Sequence, residues 1–383
     1  MIPVYQPYLT GREKEYVNQC LDSSWISSKG EFIVRFEHQF AHYVEARHAT
    51  GVCNGTVAIH LALAALGLGP GDEIIVPTLT YIASVNTIVQ TGATPVFVDS
   101  VRATWQMDPA DIVRKITPRT RAVMAVHLYG LPCDMEQLVN ICKEHKLYLI
   151  EDCAEAFGTY YNNQHVGSFG DIASFSFYGN KTITTGEGGM VVTSNPELFE
   201  KACHLKTQGV SRVREYWHDI VAYNYRMTNI CAAIGLAQLE HADAILEKKR
   251  RIAGWYREEL QGLPLKTHDE IDGTRHSYWM CSILLNHGMQ RQPLREHLKA
   301  AGIETRPLFY PAHTLPPYAA NSSFPVAESL SARGINLPSY PALTHADVQE
   351  VCAAIGQFFD NEQTHFLDAK ELEGEADGLL RSL

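Results

Sequence analysis

Short apolar runs alternate with helical patterns from about residue 50 of the chain. Seven of these runs predict β-strands, because they are rich in Val, Ile and Phe and end in turn or polar residues. Helical patterns lie between them, for example over Thr56–Leu66 and Asp134–His145. Apolar strands that alternate with helices indicate an α/β fold with a mostly parallel sheet covered on both faces. The predicted strands are Ala49–Cys53, Glu73–Val76, Thr94–Val98, Ala122–Val126, Leu147–Glu151, Ile172–Phe177 and Met190–Thr193.

The pattern changes near residue 228, where a helical stretch runs from Thr228 to about Leu260 and predicts a connector between domains. A smaller α+β unit follows it. We therefore predict a large domain over residues 1–240, with an N-terminal arm, and a small C-terminal domain over 241–383. The acidic tail after Asn361 is either a loosely attached helix or disordered. The elements predicted for the small unit are strands Ser277–Leu285 and Ile303–Leu308 and helices Arg291–Ala301 and Thr344–Phe359.

Composition is that of a soluble globular enzyme, with 383 residues, 45% of them apolar and 20% charged. The net charge of −11 does not suggest a nucleic-acid surface. Nine scattered cysteines, without a C-x-x-C pair, indicate free thiols in a reducing compartment. No apolar run approaches the roughly 18 residues that span a bilayer. We therefore expect a cytoplasmic protein, and no metal site is predicted.

A single lysine, Lys181, follows a strand-like segment in S-F-S-F-Y-G-N-K-T-I-T-T-G-E-G-G. Alone, such a lysine is usually a solvated side chain. However, Asp152 closes the apolar run L-Y-L-I in L-Y-L-I-E-D, and an acid at the carboxyl end of a parallel strand points into the crevice where α/β sheets bind ligands. An aspartate and a lysine on neighbouring strand ends can hold the two poles of one cofactor ring.

Two further segments carry candidate ligand contacts. Asn54-Gly55-Thr56 lies between a strand end and a helix start, so it is either an ordinary N-cap or a phosphate site at a positive helix terminus. Tyr81 ends another strand and is either a rim aromatic or a ring-stacking residue. Lysine, aspartate, phosphate cradle and aromatic together are the components of a pyridoxal 5'-phosphate site. In such a site the lysine amine binds the cofactor aldehyde and later moves protons, while the aspartate keeps the pyridine nitrogen protonated.

At these residues the chain resembles the DegT/DnrJ/EryC1/StrS sugar aminotransferases, which have the fold-type I architecture. The resemblance covers the chain from Ile2 to about Phe359. It implies a large aspartate-aminotransferase-like domain and a smaller α+β domain. The motifs that carry it are N-G-T (54–56), G-D-E-I-I-V-P-T (71–78), E-D-C-A-E-A (151–156), N-K-T-I-T-T-G-E-G-G (180–189), Y-N-Y-R-M-T (223–228) and R-P-L-F-Y-P-A-H (306–313).

The resemblance implies a role for each matching position. Lys181 is the residue that forms the Schiff base and Asp152 is the partner of the pyridine nitrogen. Glu155, where many members have glutamine, lies near the cofactor hydroxyl, and Tyr81 stacks on the ring. The phosphate cradle consists of Ser176 with the backbone of Gly55 and Thr56, together with Asn224, which reaches the phosphate from the other subunit of a homodimer.

Three positions are weaker candidates for the substrate site. Arg226 and His313 either hold the donor carboxylate or the sugar nucleotide, or have structural roles. Trp25, in W-I-S-S-K-G, either lines the sugar pocket or belongs to an ordinary capping arm.

The reaction implied is amination of the C4 ketone of GDP-4-keto-6-deoxy-mannose, with L-glutamate as donor. A UDP- or dTDP-linked keto sugar aminated at C4 or C3 is an alternative within the class, because the catalytic residues do not distinguish nucleotides. A nicotinamide oxidoreductase lacks support, since no G-x-G-x-x-G follows the first strand. A non-catalytic regulator with a cofactor-like pocket is the remaining alternative, and the intact Lys181, Asp152 and Ser176 favour a catalyst over it.

Overall fold

The computed structural model describes residues 1–319 and 321–361. The tail after Asn361, for which a loose helix or disorder was predicted, lies outside the described residues. In the described part of the chain, the large unit is built on a seven-stranded sheet with strand order β1-β9-β8-β5-β4-β2-β3. Its strands are β1 (His48–Val52), β2 (Glu73–Pro77), β3 (Thr94–Val98), β4 (Thr120–Val126), β5 (Tyr148–Asp152), β8 (Ile172–Ser176) and β9 (Gly189–Thr193).

The central sheet is parallel except at β9, which pairs antiparallel with both β1 and β8. Side chains of successive strand residues pack on opposite faces of the sheet. On β2, Ile74 and Val76 pack against helical residues of one face, whereas Ile75 packs with residues of the opposite face. This alternation confirms the prediction of a mostly parallel sheet with helices on both faces.

Helices cover the sheet and most begin at a polar cap. The side chain of Asn54 accepts a hydrogen bond from Val57 N (3.0 Å) at the start of the helix that follows β1. Asp134, Asn195 and Thr228 cap later helices in the same way. The helices of the large unit are α1 (Arg12–Asp22), α2 (Glu31–Tyr43), α3 (Gly55–Leu66), α4 (Ala83–Gln90), α5 (Pro109–Lys115), α6 (Met135–His145), α7 (Pro196–Lys206) and α8 (Asn229–Glu240).

The small unit combines an antiparallel sheet with helices. Its strand order is β10-β12-β14-β13. A further small sheet pairs β11 (Thr274–Arg275) with β6 (Tyr160–Tyr161) of the large unit, so strands from both units form this sheet. The remaining elements are α9 (Ala242–Glu259), α10 (Arg291–Ala300), α11 (Pro325–Arg333), α12 (345–361), β6 (Tyr160–Tyr161), β7 (Gln164–His165), β10 (Leu265–Thr267), β11 (Thr274–Arg275), β12 (Cys281–Leu285), β13 (Arg306–Pro307) and β14 (Gly334–Leu337).

Three predicted elements differ from the structure. The connector helix is broken at His241 (φ −115°, ψ 13°) into α8 and α9. The strand predicted from Ser277 begins only at Cys281, because Ser277 N bonds to Gly130 O of the large unit and Tyr278 is left-handed (φ 51°). The strand predicted over Ile303–Leu308 is reduced to β13.

The N-terminal arm docks on the small unit. Ile2 N donates to Gly302 O (2.8 Å), and Ile2 O accepts from Glu304 N (2.9 Å). Val4 O accepts from Ser339 N (3.0 Å). The arm thus links the start of the described chain to the small unit. The domain boundary at residue 240 remains a prediction.

Among the described helices, we found none with the length and apolar character needed to cross a membrane.

Candidate active site

A cavity of about 890 Å³ opens where several parallel strands of the large unit end. Residues that follow β1, β2, β5 and β8 line it, as expected for the carboxyl edge of an α/β sheet. The small unit contributes Trp279 and Phe309 to its wall. Of the residues predicted for the cofactor site, those on this cavity are Gly55, Thr56, Tyr81, Asp152, Glu155, Ser176 and Lys181.

Asp152 is buried at the last position of β5. Its Oδ2 accepts from Ser84 Oγ (2.7 Å) and its Oδ1 from Ala154 N (3.1 Å). Burial raises the pKa of this carboxyl, while the two hydrogen bonds and the charge of Lys181 oppose that rise. A cationic ring nitrogen beside Asp152 would further favour its ionised form.

Lys181 lies on the loop between β8 and β9 and is half-buried against the cavity. Its backbone is fixed on two sides, since Lys181 N donates to Tyr178 O (2.9 Å) and Lys181 O accepts from Tyr5 OH (2.5 Å). Burial lowers the pKa of the amine, and the negative charges of Glu155 and Asp152 act in the opposite direction. The amine therefore has access to its neutral, nucleophilic form.

Glu155 lies on the turn after β5 and is buried beside Lys181. Its Oε2 accepts from the backbone N–H of Tyr129 (2.8 Å). Burial raises the pKa of Glu155 to about 7, although the Lys181 charge lowers it. This carboxyl is therefore able to gain or lose a proton near neutral pH.

The start of α3 and Ser176 form a narrow cradle. A Cβ at position 55 would lie 2.6 Å from Ser176 Cβ and 2.7 Å from its Oγ, so only glycine leaves this space open. The Asn54 side chain caps this twelve-residue helix, and the N–H groups of the first helical turn carry a partial positive charge that favours an anion. A phosphate group fits this cradle.

Aromatic rings form one wall of the cavity. Tyr81 lies 5.6 Å from Phe309, and Phe309 lies 5.2 Å from Tyr129 (ring centroids). Tyr129 in turn stacks on Trp279 at 6.2 Å and 15°. A flat heterocycle can therefore be held between an aromatic wall, an anion cradle, a lysine and an aspartate.

The other four predicted residues lie away from this cavity within one chain. Asn224 is exposed and accepts from Arg226 Nε (3.0 Å). Trp25 is 56% exposed and its carbonyl accepts from Asn229 Nδ2 (2.7 Å). His313 is buried, with its Nδ1 hydrogen-bonded to Thr78 Oγ1 (2.7 Å).

His313 Nε2 lies 3.3 Å from Glu328, so this histidine joins the two units. Both of its ring nitrogens are therefore occupied by protein partners.

Several cavity residues were missed by the sequence reasoning. Ser84, which bonds Asp152, follows Tyr81 closely and could have been sought there. His60, Tyr223 and Tyr225 also line the cavity, and the two tyrosines stack at 4.7 Å. Trp279 has no comparable signal, because it is far from Lys181 in sequence.

Three buried side chains that do not line the cavity, those of His127, Glu151 and Cys153, have possible metal-ligand atoms within 4.8 Å of one another. Glu151 accepts hydrogen bonds from three backbone N–H groups, those of Gly167, Phe169 and Gly170. His127 Nδ1 accepts from Cys133 N (3.1 Å), which leaves Nε2–H to donate to Glu151 (3.2 Å). These bonds support a structural role that fixes the loop after β7.

Comparison with known proteins gives a consistent picture. A sequence profile of the DegT/DnrJ/EryC1/StrS aminotransferase family matches residues 7–356. A GDP-perosamine synthase from Escherichia coli O157:H7 is 58% identical over 362 residues, which cover 94% of this chain and 99% of that protein. Another GDP-perosamine synthase, from Vibrio cholerae, is 55% identical over 94% of this chain and 100% of its own length.

Solved structures agree. The PLP-form of the putative sugar aminotransferase Spr1654 from Streptococcus pneumoniae superposes with a TM-score of 0.90 at 27% identity. The match covers 94% of this chain and 99% of that one.

Proposed function

The chain belongs to the DegT/DnrJ/EryC1/StrS aminotransferase family, and from this premise we propose that it converts GDP-4-keto-6-deoxy-mannose to GDP-perosamine. L-glutamate is the proposed amino donor and pyridoxal 5'-phosphate the cofactor. The observation that carries the reaction class is the meeting of Lys181, Asp152 and the Gly55–Ser176 cradle on one cavity. The sugar nucleotide is supported by the near full-length identity to two GDP-perosamine synthases.

When bound, pyridoxal phosphate supplies an electron sink that stabilises negative charge on the carbon next to the amine. The residues of the chain do the rest. Gly55, Thr56 and Ser176 would bind the phosphate, and Tyr81 would cover the ring. Asp152, held by Ser84 and Ala154, would face the ring nitrogen.

Proton movement is assigned to Lys181. In the proposed reaction its amine would take a proton from one carbon and return it to another. Burial lowers the pKa of the amine, which favours its basic form, while the nearby Asp152 and Glu155 keep the protonated form accessible. Glu155 would contact the cofactor hydroxyl, as its position beside Lys181 suggests.

We further propose that the enzyme is a homodimer whose active sites are shared between subunits. Asn224 and Arg226 lie outside the cavity of their own chain, next to a loop with highly exposed apolar side chains, among them Val213, Tyr216 and Val221 (96–97% exposed). Exposed apolar groups of this kind mark an interaction surface. A second copy of the chain would cover this loop and receive Asn224 at its phosphate cradle.

Free thiols at all nine cysteines support a reducing compartment, so we propose that the enzyme acts in the cytoplasm. The proposed product would serve O-antigen synthesis in lipopolysaccharide.

The test is a substrate panel offered with L-glutamate, comprising GDP-, UDP- and dTDP-linked 4-keto-6-deoxy sugars and a 3-keto sugar nucleotide. We expect amination of the GDP-linked sugar, detected by mass spectrometry as conversion of the ketone to an amine. Lys181→Ala should abolish turnover and the visible absorbance of the bound cofactor. Lys266→Ala, an exposed lysine on β10, is the control and should keep both.

Three outcomes would contradict the proposal. Preference for a UDP- or dTDP-linked sugar would overturn the substrate. Full activity of the Lys181 variant would overturn the mechanism. Cofactor binding without any spectral change on adding glutamate would point instead to a non-catalytic protein.

A further inference from the structure

Trp279 of the small unit covers the side chain of Lys181. The Lys181 Nζ lies 4.0 Å from the centroid of the indole ring, within the range of a cation–π interaction. The indole is only 4% exposed, so little of its ring is in contact with bulk water. A shielded ring face attracts a cation more strongly than an exposed one.

The indole is held in place from three directions. Its Nε1–H donates to Asn180 O (2.7 Å), the residue before the lysine. The backbone carbonyl of Trp279 accepts a hydrogen bond from the buried Lys249 Nζ (3.0 Å), and Lys249 also bonds to Ser339. The Tyr129 ring lies nearly parallel to the indole, with 6.2 Å between the ring centroids. The ring is therefore fixed before any ligand enters.

In addition to the uncharged indole of the small unit, charged groups of the large unit surround Lys181. Asp152 and Glu155 act on the amine from the end of β5, and Glu187 lines the same cavity. Lys249 approaches Trp279 rather than the cavity itself. The indole face is thus the contribution of the small unit to the surroundings of the amine.

We propose that Trp279 is a positioning residue that holds the Lys181 amine over the cavity and stabilises its protonated form. This inference deepens the proposed transamination, on which it rests. A lysine that both takes and returns a proton needs both of its forms near neutral pH. Desolvation alone would favour the neutral amine, and the indole face offsets part of that effect.

The test measures the protonation of Lys181 directly in the full-length, cofactor-free chain. The rate at which a limiting amine reagent labels Lys181, followed by mass spectrometry across pH, gives its apparent pKa. Trp279→Phe and Trp279→Leu both remove the bond to Asn180, so their difference isolates the aromatic face. We expect the apparent pKa to fall in the order Trp, Phe, Leu, by about half to one pH unit overall.

The opposite order would overturn the proposal, because a ring that only excludes water would raise the lysine pKa when removed. Identical values for the three proteins would overturn it as well. Trp255→Phe, a half-buried tryptophan stacked on His345 in the small unit, is the control and should leave Lys181 unchanged.

A second readout uses the holoenzyme. The pH at which its visible absorbance changes should move downward in the same order of variants. The labelling experiment needs no turnover, so a negative result there refutes the role of Trp279, whereas failure of the substrate panel refutes the proposed function.

Discussion

Asp152 ends β5 and Glu155 lies three positions later on the turn that follows, yet their hydrogen-bond partners differ. Asp152 accepts two hydrogen bonds, one from a side-chain hydroxyl and one from the backbone. Glu155 accepts one from Tyr129 N and lies beside Lys181. Because each hydrogen bond to a carboxylate favours ionisation, the better-bonded aspartate suits a permanent negative charge. Glu155, with fewer hydrogen bonds, is better suited to change its protonation state.

This difference predicts a pH-dependent stability for Glu155→Gln. The folded pKa of Glu155, about 7, lies above its ordinary value of 4.5, so the protonated carboxyl favours the folded state. That contribution is complete below about pH 4.5 and is lost as the pH rises through about 7. Glutamine stays neutral and keeps the acceptor for Tyr129 N. In the cofactor-free protein at pH 5, we expect the variant and the wild type to have similar free energies of unfolding. At pH 8 we expect the free energy of unfolding of the variant to be higher by a value on the order of 2 kcal/mol.

Thermal unfolding followed by circular dichroism at several pH values measures this effect. If the difference in thermal stability between variant and wild type stays constant from pH 5 to pH 8, Glu155 does not titrate in this range.

At the scale of elements, most of the central sheet was predictable because its strands are short apolar runs between turn residues. β3 was predicted at its observed bounds, and β1 was shifted by one residue. The break between α8 and α9 was not predictable, since apolar and helix-forming residues continue through His241. The late start of β12 depends on a bond from Ser277 to Gly130, a contact between units that local sequence does not encode.

The candidate site also contains residues that were predictable from the sequence and residues that were not. Lys181, Asp152 and the start of α3 follow from strand ends, which the apolar pattern marks. Trp279 and Phe309 reach the cavity only because the small unit packs over it. His313 was a weak substrate candidate, and its position between Thr78 and Glu328 favours a structural role.

His313→Leu tests that role. The substitution removes the side-chain bonds to Thr78 and Glu328, which link the residue after β2 to α11, and it takes the imidazole partner away from the buried Thr78 hydroxyl. We expect a loss of about 1–3 kcal/mol in unfolding free energy, with KM for the sugar nucleotide unchanged. Chemical unfolding and steady-state kinetics measure the two effects.

His345→Leu, which removes an exposed contact to Glu259 (3.1 Å), is the control and should cost less than about 1 kcal/mol. A raised KM with unchanged stability would instead place His313 at the substrate.

At the scale of the whole molecule, the single chain contains the lysine and the aspartate but not every group proposed for the phosphate. Asn224 is exposed beside the loop that carries Val213, Tyr216 and Val221. A closed symmetric dimer would bury this surface once on each subunit and complete two sites at the same time. The proposed enzyme would then be inactive as a monomer.

Mixing two inactive variants tests this arrangement. Lys181→Ala and Asn224→Ala should each be strongly impaired alone, and a mixed dimer should contain one site with both residues intact. After unfolding and refolding together in equal amounts, we expect activity to recover to about a quarter of the wild-type value, because half of the dimers are mixed and half of their sites are complete.

Activity of the refolded mixture equal to the mean of the two variants would show that each site belongs to one chain. Refolding each variant alone is the control and should give no recovery.

The docking of the N-terminal arm also sets an order of events during synthesis. Ile2 and Val4 are translated long before their partners Gly302, Glu304 and Ser339. Tyr5, in the same arm, donates a hydrogen bond to the backbone carbonyl of Lys181 (2.5 Å). On the ribosome the arm therefore has no docking surface until the small unit has been made, and a cofactor pocket completed by these contacts would form late in maturation.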